Sequence, residues 1–354
     1  MKTVFCTKLG NLLDPDESKR GKVEVREVDE RQIVHDETVK IKTAYCAICG
    51  SDPHTVEGIF GRPLPIAMGH EVSGVVVEVG KKATKKGLKV GDRVAGNFLR
   101  PCGTCDYCRN KKEQFCEFKG EFQCPGMSEY VVWHESQLYK LPDSVSLREG
   151  CMLEPVSVAT RIADKTRIEI GDKVAISGGG PIGMLTLQLM NMYGATSLTL
   201  IEPIAARREL AKSLGAVHTI DPVSPDYVKD ALEITRGLGF DVVIEVSGAR
   251  SAAAIVPEIT AKGGTIVYAA MYPNDFEMPF NPFKNFYRNE LTMTGVLLSP
   301  YTFPRALELL PRLDLKPFVQ KYFYIDDCME AFDTHMSGEY PKILILCNKD
   351  LENL

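Results

Sequence analysis

The chain has 354 residues, of which 44% are hydrophobic and 25% charged, so it is long enough for two domains and has an ordinary globular composition. A net charge of −5 gives no electrostatic reason to expect nucleic acid or an anionic membrane as a partner. The first residues lack a signal-peptide layout and no apolar window reaches transmembrane length, so the sequence predicts a cytoplasmic protein.

Short β signals separated by Gly and Pro fill residues 1 to about 155. Val23–Val28 and Val39–Thr43 alternate between apolar and polar residues, and Glu71–Val79 is a valine-rich run closed by Gly80. Many short strands of this kind predict a small, partly open β-barrel rather than a helical domain.

Two short motifs in this part of the chain offer metal ligands. Cys49 lies in the first motif, and His70 and Glu71 lie in the second, roughly twenty residues later; Glu154 follows at the predicted domain junction. A lone cysteine is usually a core residue, and a lone His-Glu pair is usually a surface turn. Together with the nucleotide-binding motif described below, the two motifs predict a metal held by Cys49 and His70. A carboxylate from Glu71 or Glu154 would add a ligand, with one position left for water or substrate.

A cysteine cluster with the spacing Cys-x2-Cys-x2-Cys-x7-Cys follows. Tetrahedral zinc takes four ligands at short separation, and a Cys-x2-Cys turn presents two sulfurs to one ion. The segment is too polar to bury four free thiols, and the acidic balance of the chain opposes a nucleic-acid-binding zinc ribbon. We therefore predict a closed structural zinc site in the loop 100–118, with the ligands Cys102, Cys105, Cys108 and Cys116.

The other cysteines have no metal-ligand spacing and are predicted to be small core residues, because a cytosolic chain keeps its thiols reduced. They are Cys6, Cys46, Cys124, Cys151, Cys328 and Cys347.

From about residue 156, apolar runs of strand length alternate with helical segments, which predicts a parallel sheet with helices on both faces. A last apolar run, Lys342–Cys347, predicts a strand that returns to the first domain and leaves a cleft between the two bodies. The predicted strands of the parallel sheet are Val174–Ser177, Ser197–Ile201, Asp241–Val246 and Gly264–Ala269.

A glycine turn, Gly178-x-Gly180-x-x-Gly183, joins the first of these strands to a predicted helix over Pro181–Tyr193. A strand that turns at once into a helix directs free N–H groups and the positive end of the helix dipole at one point, which suits a pyrophosphate. The three glycines allow the tight turn, the approach of the phosphates and the close packing of helix on strand.

Glu202 ends the next strand, 19 residues after Gly183, where a carboxylate would accept hydrogen bonds from the adenosine ribose and repel a 2′-phosphate. This position favours NAD over NADP. Arg207 and Arg208 lie close behind and weaken the preference, because an arginine there could bind a phosphate.

The order of these motifs, Cys-Gly-Ser-Asp, Gly-His-Glu, the cysteine loop, Glu-Pro and the glycine turn, resembles the zinc-dependent medium-chain dehydrogenase/reductase superfamily. The resemblance covers essentially the whole chain and is closest to the sorbitol (polyol) and threonine dehydrogenase branch. It implies an α/β protein with a partly open, GroES-like β-barrel catalytic domain and a doubly wound parallel-sheet Rossmann domain. The implied bounds are 1–157 for the catalytic domain, 158–295 for the NAD-binding domain and 296–354 for the return to the catalytic domain.

The resemblance also implies two zinc ions per chain, one structural and one catalytic, together with NAD(H). The catalytic zinc would lie on Cys49, His70 and Glu71, with Glu154 as a nearby ligand or as a base for the bound water, and Asp52 would orient the His70 ring. The sequence does not rank Glu71 against Glu154; the alcohol dehydrogenases place a second cysteine ligand where Glu154 stands. The implied cofactor-binding residues are Gly178, Gly180, Ile182, Gly183, Glu202 and Arg207.

A polyol-type secondary alcohol is the expected substrate, oxidised to a ketone or formed from one. Ser51 would take the hydroxyl proton and pass it through the nicotinamide ribose to His54, whose near-neutral pKa suits a terminal relay. For His54, a role as an ordinary loop histidine explains the sequence about as well as the relay does. Candidate lining residues are Ile59, Phe60, Phe98, Met271, Tyr272 and Leu297.

Three other functions stay open. The substrate could be threonine or 2,3-butanediol, or it could be a bulkier hydrophobic secondary alcohol, given the aromatic residues in 272–287. From another class, the chain could be a non-catalytic nucleotide- or zinc-binding protein, although a binder needs no proton relay. The resemblance further implies a homotetramer or homodimer, associating partly through the strand near Gly264–Ala270.

Overall fold

The structure is a computed structural model that describes residues 1–118 and 125–354, so the prediction for Cys124 lies outside the described residues. Two compact units make up the chain: Met1–Glu154 with Phe303–Leu354, and Pro155–Thr302. These bounds differ from the expected 157 and 295. The first lies at the start of the helix Leu153–Thr166, so no loop marks it in the sequence. The second lies after Thr302, whose hydroxyl donates to the Ser157 carbonyl 2.9 Å away in the second unit.

The first unit is built from short strands. The strands are β1 Lys2–Lys8, β2 Lys22–Glu27, β3 Thr38–Ala47, β4 Ile66–Ala67, β5 Glu71–Val79, β6 Arg93–Gly96, β7 Tyr130–His134, β8 Leu138–Lys140, β15 Lys321–Tyr324 and β16 Ile343–Leu346. One sheet has the order β15-β16-β3-β5-β6-β8, with β7 paired to β3, and a smaller sheet has the order β2-β1-β4.

Helices of the first unit are short and pack beside these sheets. They are α1 Ser51–Val56, α2 Asp106–Arg109, α3 Leu147–Gly150, α9 Phe303–Leu309 and α10 Cys328–Ser337, while α4 Leu153–Thr166 begins where the unit ends. The core includes Trp133 and Ile41 from the sheet and Phe332 from α10, all at most 1% exposed. The apolar side chains of both ends of the chain therefore share one core.

The second unit is a six-stranded, fully parallel sheet in the order β11-β10-β9-β12-β13-β14. The strand order reverses between β9 and β12, as in dinucleotide-binding Rossmann folds. Its elements are β9 Lys173–Ser177, α5 Pro181–Met192, β10 Ser197–Ile201, α6 Ala205–Ser213, β11 His218–Ile220, α7 Tyr227–Ile234, β12 Phe240–Glu245, α8 Arg250–Ile259, β13 Thr260–Tyr268, a π-helix Phe283–Arg288 and β14 Thr292–Gly295.

The predicted fold class, a GroES-like unit with a Rossmann unit in an α/β protein, is confirmed. Strands Glu71–Val79 and Ser197–Ile201 have the predicted bounds, and the helix predicted over Pro181–Tyr193 ends one residue earlier, at Met192. The run Lys342–Cys347 forms β16, which pairs antiparallel with β3 in the first unit. The scattered cysteines are buried wherever the structure describes them. Within the same residues, every helix is too short or too polar to cross a bilayer.

Candidate metal centre and dinucleotide site

Cys49, His70 and Glu71 come together at the end of one strand pair. Cys49 follows β3, Glu71 is the first residue of β5, and these antiparallel strands pair Ala47 with Glu71. Gly69 has a φ of +88°, and a Cβ there would lie 2.5 Å from the Met127 side chain, so only glycine lets the chain enter β5 this way. One ligand atom from each of Cys49, His70 and Glu71 lies within 4.8 Å of the other two.

Glu71 forms a buried ion pair with Lys342, which precedes β16. The two side chains are 1% and 3% exposed, and Lys342 Nζ donates to Oε1 over 2.7 Å. Oε2 is also only 2.6 Å from Nζ but lacks hydrogen-bond geometry to any partner. Burial alone would lower the pKa of Lys342, but the charges of Glu71 and Cys49 raise it, so the ammonium stays charged. Both carboxylate oxygens of Glu71 therefore lie against the Lys342 ammonium.

Asp52 lies between the backbone of Cys49 and the His70 ring. Its Oδ2 accepts a 2.8 Å hydrogen bond from the Cys49 N–H, whereas its Oδ1 lies 3.8 Å from His70 Nδ1, too far for a direct hydrogen bond. The imidazole also packs against Phe98, with ring centroids 4.8 Å apart. Burial lowers the pKa of His70, but the charge of Cys49 and its hydrogen bond raise it well above the ordinary value. The acidic neighbours of His70 therefore favour positive charge at this position.

Glu154, the second residue of α4, is 5% exposed. Its carboxylate is not part of the three-residue group that lies within 4.8 Å. Burial, and to a smaller extent the charge of Glu71, raises the pKa of Glu154 to about 7, although His70 opposes the shift. The carboxyl group of Glu154 can therefore donate or accept a proton near neutral pH.

Ser51 and His54 both lie on α1, immediately after Cys49. The Ser51 carbonyl accepts a 3.0 Å hydrogen bond from the Thr55 hydroxyl, which fixes the first turn of α1. His54 is partly exposed, and its Nδ1 lies 3.0 Å from Glu57 Oε2. The Glu57 carboxylate therefore orients the His54 ring from the next turn of the chain.

The four clustered cysteines form a second group of ligand atoms within 4.8 Å of one another. The Cys102 and Cys108 sulfurs are 3.9 Å apart, close to the separation of about 3.8 Å that tetrahedral Zn–S bonds of about 2.3 Å require. Cys102 Sγ accepts hydrogen bonds from Thr104 and from the Cys105 N–H, and these lower the pKa of Cys102 to about 6. The Cys116 sulfur accepts the Cys102 N–H over 3.3 Å. Such N–H donors stabilise thiolates.

The glycine turn joins β9 to α5 in the second unit. Gly178 has a φ of +114°, and a Cβ there would lie 2.8 Å from the Ser247 backbone. Gly180 caps α5 with Pro181 at its first position, and a Cβ on Gly180 would meet nothing within 4 Å, so its backbone is open to a ligand. A Cβ on Gly183 would lie 1.9 Å from the Gly178 carbonyl oxygen, and Ile182 is half-buried beside it.

The sequence of this chain matches two protein-family models and several characterised proteins. Residues 35–143 match the family model of the alcohol dehydrogenase GroES-like domain, and residues 181–312 match that of the zinc-binding dehydrogenases. The D-arabitol-phosphate dehydrogenase of Enterococcus avium is 35% identical over 89% of this chain and 91% of its own. The sorbitol dehydrogenase of Halalkalibacterium halodurans is 33% identical over 87% and 91%. The chain belongs to the zinc-dependent medium-chain dehydrogenase/reductase superfamily, in its sorbitol-dehydrogenase-like branch.

Two solved structures of this superfamily cover nearly the whole chain. A protein described as a zinc-binding dehydrogenase from Clostridium scindens has a TM-score of 0.91 and 33% identity, covering 98% of this chain and 99% of its own. A second one, from Sinorhizobium meliloti and bound to NADP, has a TM-score of 0.88 and 27% identity, covering 98% and 99%. Zinc and a nicotinamide cofactor are thus the groups to test against the residues of this dehydrogenase.

The ligand atoms of this dehydrogenase fit zinc at both centres. A thiolate, an imidazole and a carboxylate are the donors that catalytic zinc takes from proteins, and four thiolates are typical of a closed structural site. In the first centre, His70 has Cys49, Asp52 and Glu154 as acidic neighbours, and Glu71 pairs with Lys342. The excess of negative charge favours a divalent cation.

Glu202 directly follows β10 and makes contacts that the sequence did not show. Its Oε2 accepts the Gly179 N–H over 2.7 Å and its Oε1 accepts the Ile204 N–H over 3.0 Å. Arg208 Nη1 donates to the Glu202 and Pro203 carbonyls and lies 3.3 Å from Asp221. Arg208 is therefore held by protein oxygens.

Arg207 Nη1 lies 4.0 Å from Glu202 Oε1, and the Arg207 side chain is one-quarter exposed. Two side chains of opposite charge are therefore neighbours just after β10.

Of the candidate lining residues, Phe98 contacts His70. Ile59 and Phe60 are 40% and 45% exposed in the loop after α1, and Met271 and Leu297 are 43% and 50% exposed in the second unit. Tyr272 instead donates a hydrogen bond to the buried Glu245. Its hydroxyl is therefore used inside the protein rather than offered to a substrate.

Proposed function

We propose that the protein catalyses the zinc-dependent, NAD-linked oxidation of a polyol secondary alcohol to a ketone, and the reverse reduction. The observation that carries this proposal is the convergence of Cys49, His70 and Glu71 within 4.8 Å in a chain that also has the glycine turn. A non-catalytic binder would not need Glu154, a carboxyl group with a pKa of about 7, beside such a centre.

Zinc bound at this centre would supply the Lewis acidity that stabilises negative charge on the substrate oxygen as hydride leaves. Cys49 and His70 would hold it, and we assign Glu71 rather than Glu154 as the third ligand, because Glu71 has the nearer oxygen. Lys342 restrains Glu71 and shares its charge.

The remaining residues of the centre would handle the proton. Glu154 binds a water molecule or a substrate hydroxyl, and a polyol offers a neighbouring hydroxyl for this contact. Ser51 accepts the proton of the reacting hydroxyl and passes it toward His54, which Glu57 holds in place. The second zinc would stabilise the loop that carries the four cysteines and needs no open position.

NAD(H) is the proposed cofactor because Glu202 is 4% exposed and fixed against the glycine turn. Replacing Glu202 with alanine is expected to lower the preference for NAD over NADP by about tenfold, the effect of losing hydrogen bonds to a charged group. The measurement is kcat/KM with each cofactor. Asp221→Ala is the matched control, since it removes a carboxylate one strand away; unchanged discrimination in Glu202→Ala would argue against the ribose contact.

The substrate class is tested by following NADH formation over a panel of alcohols. We expect polyols such as sorbitol, xylitol and arabitol, free or phosphorylated, to react with a kcat/KM at least about tenfold above threonine, 2,3-butanediol and simple hydrophobic secondary alcohols. Faster oxidation of threonine or butanediol would replace the polyol by that substrate. No NADH with any alcohol, from protein with full zinc, would favour the non-catalytic alternative.

A cytoplasmic homotetramer or homodimer is proposed for the assembly. The second unit ends its sheet at β14, and the neighbouring π-helix carries exposed aromatic side chains, including Phe283 at 61% and Tyr287 at 78%. Exposed aromatic area beside an edge strand is typical of a surface that a second copy covers. The unpaired thiols among the described residues are consistent with a reducing compartment.

A further inference from the structure

A buried carboxylate outside the metal centre lies at the reversal point of the parallel sheet. Glu245 is the last residue of β12 and is fully buried. It pairs with Ser177 of β9, the residue directly before the glycine turn, and with Tyr268 of β13. Burying a carboxyl group away from water is unfavourable unless hydrogen bonds within the protein compensate for the lost hydration.

Glu245 is held by donors from two different loops. Oε1 accepts the Ser247 N–H over 2.9 Å and also the Ser247 hydroxyl, and Oε2 accepts the Tyr272 hydroxyl. Ser247 belongs to the loop after β12, and Tyr272 belongs to the loop after β13. All three donors are neutral groups, and through them one carboxyl group joins the two loops. Burial and the hydrogen bond to Glu245 raise the pKa of Tyr272, which therefore remains a donor.

Both loops also pack against the glycine turn or against each other. The missing Cβ of Gly178 faces the Ser247 backbone at 2.8 Å, and the missing Cβ of Gly248 faces the Met271 carbonyl oxygen at 2.8 Å. Ser247 Oγ accepts the Ala249 N–H over 3.1 Å and so fixes the start of α8. The loop after β12 is thus firmly seated, while the half-buried Tyr272 joins the more exposed loop after β13 to it.

In a sheet of this order, the first three strands serve the adenosine half of a dinucleotide, and the strands beyond the reversal serve the second nucleotide. The loops after β12 and β13 belong to that second half. Resting on the proposed NAD-linked function, we propose that Glu245 and Tyr272 are positioning residues that fix the loop after β13 for the nicotinamide nucleotide. Ordering this loop in advance lowers the entropic cost of binding the complete dinucleotide.

The test compares NAD+ with ADP-ribose, which lacks nicotinamide, by calorimetry on the zinc-loaded protein. Tyr272→Phe removes one oxygen and keeps the ring. It is expected to raise the Kd of NAD+ by about tenfold and to leave the Kd of ADP-ribose within about twofold. A residue with a merely structural role would lower the Tm without changing the ratio of the two Kd values.

Tyr268→Phe is the matched control, because the Tyr268 hydroxyl donates to the Ala253 carbonyl of α8 rather than to Glu245. Its Kd ratio should equal that of the wild type. In a Glu245→Gln background, Tyr272→Phe should have a smaller effect than in the wild type, since the two side chains act as one unit. The proposal would be overturned if the ratio of the two Kd values in Tyr272→Phe equalled that of the wild type, whether both ligands bind as before or both bind more weakly by the same factor. Failure of wild-type protein to bind NAD+ would instead reject the proposed cofactor.

Discussion

Replacing Cys49 with alanine is expected to remove one zinc ion per chain and to reduce turnover by at least about a thousandfold. The reason is that zinc contributes several kcal/mol of charge stabilisation in the transition state, and each 1.4 kcal/mol corresponds to about a tenfold change in rate. His70 and Glu71 would remain as two ligands, and Glu71 is already shared with Lys342. Metal content by mass spectrometry, NADH formation and NAD+ binding by calorimetry are the three measurements.

Cys46→Ala is a suitable control for this variant. Cys46 is a fully buried thiol on β3, three residues before Cys49 and outside both groups of candidate metal ligands. It should keep both metals and most of the activity. NAD+ binding should persist in Cys49→Ala, because the glycine turn and Glu202 belong to the other unit. Full zinc content with undiminished turnover in Cys49→Ala would refute the ligand role.

Of the variants described here, Lys342→Met should have the largest decrease in the free energy of unfolding. The variant leaves Glu71, which is 1% exposed, as a buried charge without its cation, and breaking a buried pair in this way costs roughly 3–5 kcal/mol. The experiment uses protein stripped of zinc with a chelator, because a bound cation would compensate the carboxylate. Urea unfolding followed by tryptophan fluorescence reports on the correct unit, since Trp133 is the single tryptophan and is fully buried in the first unit's core.

The double variant Glu71→Gln with Lys342→Met removes both charges and should recover most of the lost stability. Lys40→Met is the matched control: Lys40 is 7% exposed, but its partner Glu30 is 47% exposed and can be hydrated alone. A Lys342→Met protein as stable as the wild type, or a double variant as unstable as the single one, would contradict the proposed role of this ion pair.

Local patterns allowed much of the dinucleotide unit to be predicted. The strand ending at Ser177, the glycine turn and Glu202 all lie within one βαβ segment, so hydrogen bonding and side-chain alternation over a few residues define them. The four-cysteine loop was likewise readable, because its ligands lie within one short segment. The domain bounds were less readable, since α4 begins at the first of them without a loop.

The sequence by itself determined which chemical groups this dehydrogenase possesses: the thiol, imidazole and carboxylate ligands, the cysteine loop and the glycine turn. Only the tertiary structure decided how they are paired. Lys342 meets Glu71 across 271 residues, and Tyr272 meets Glu245 from another loop. Each contact depends on which strands become neighbours, and strand order is set by the packing of the whole sheet rather than by residues close in the chain. For this reason, a lysine before an apolar strand gave no sign in the sequence that it would neutralise a buried carboxylate at the metal centre.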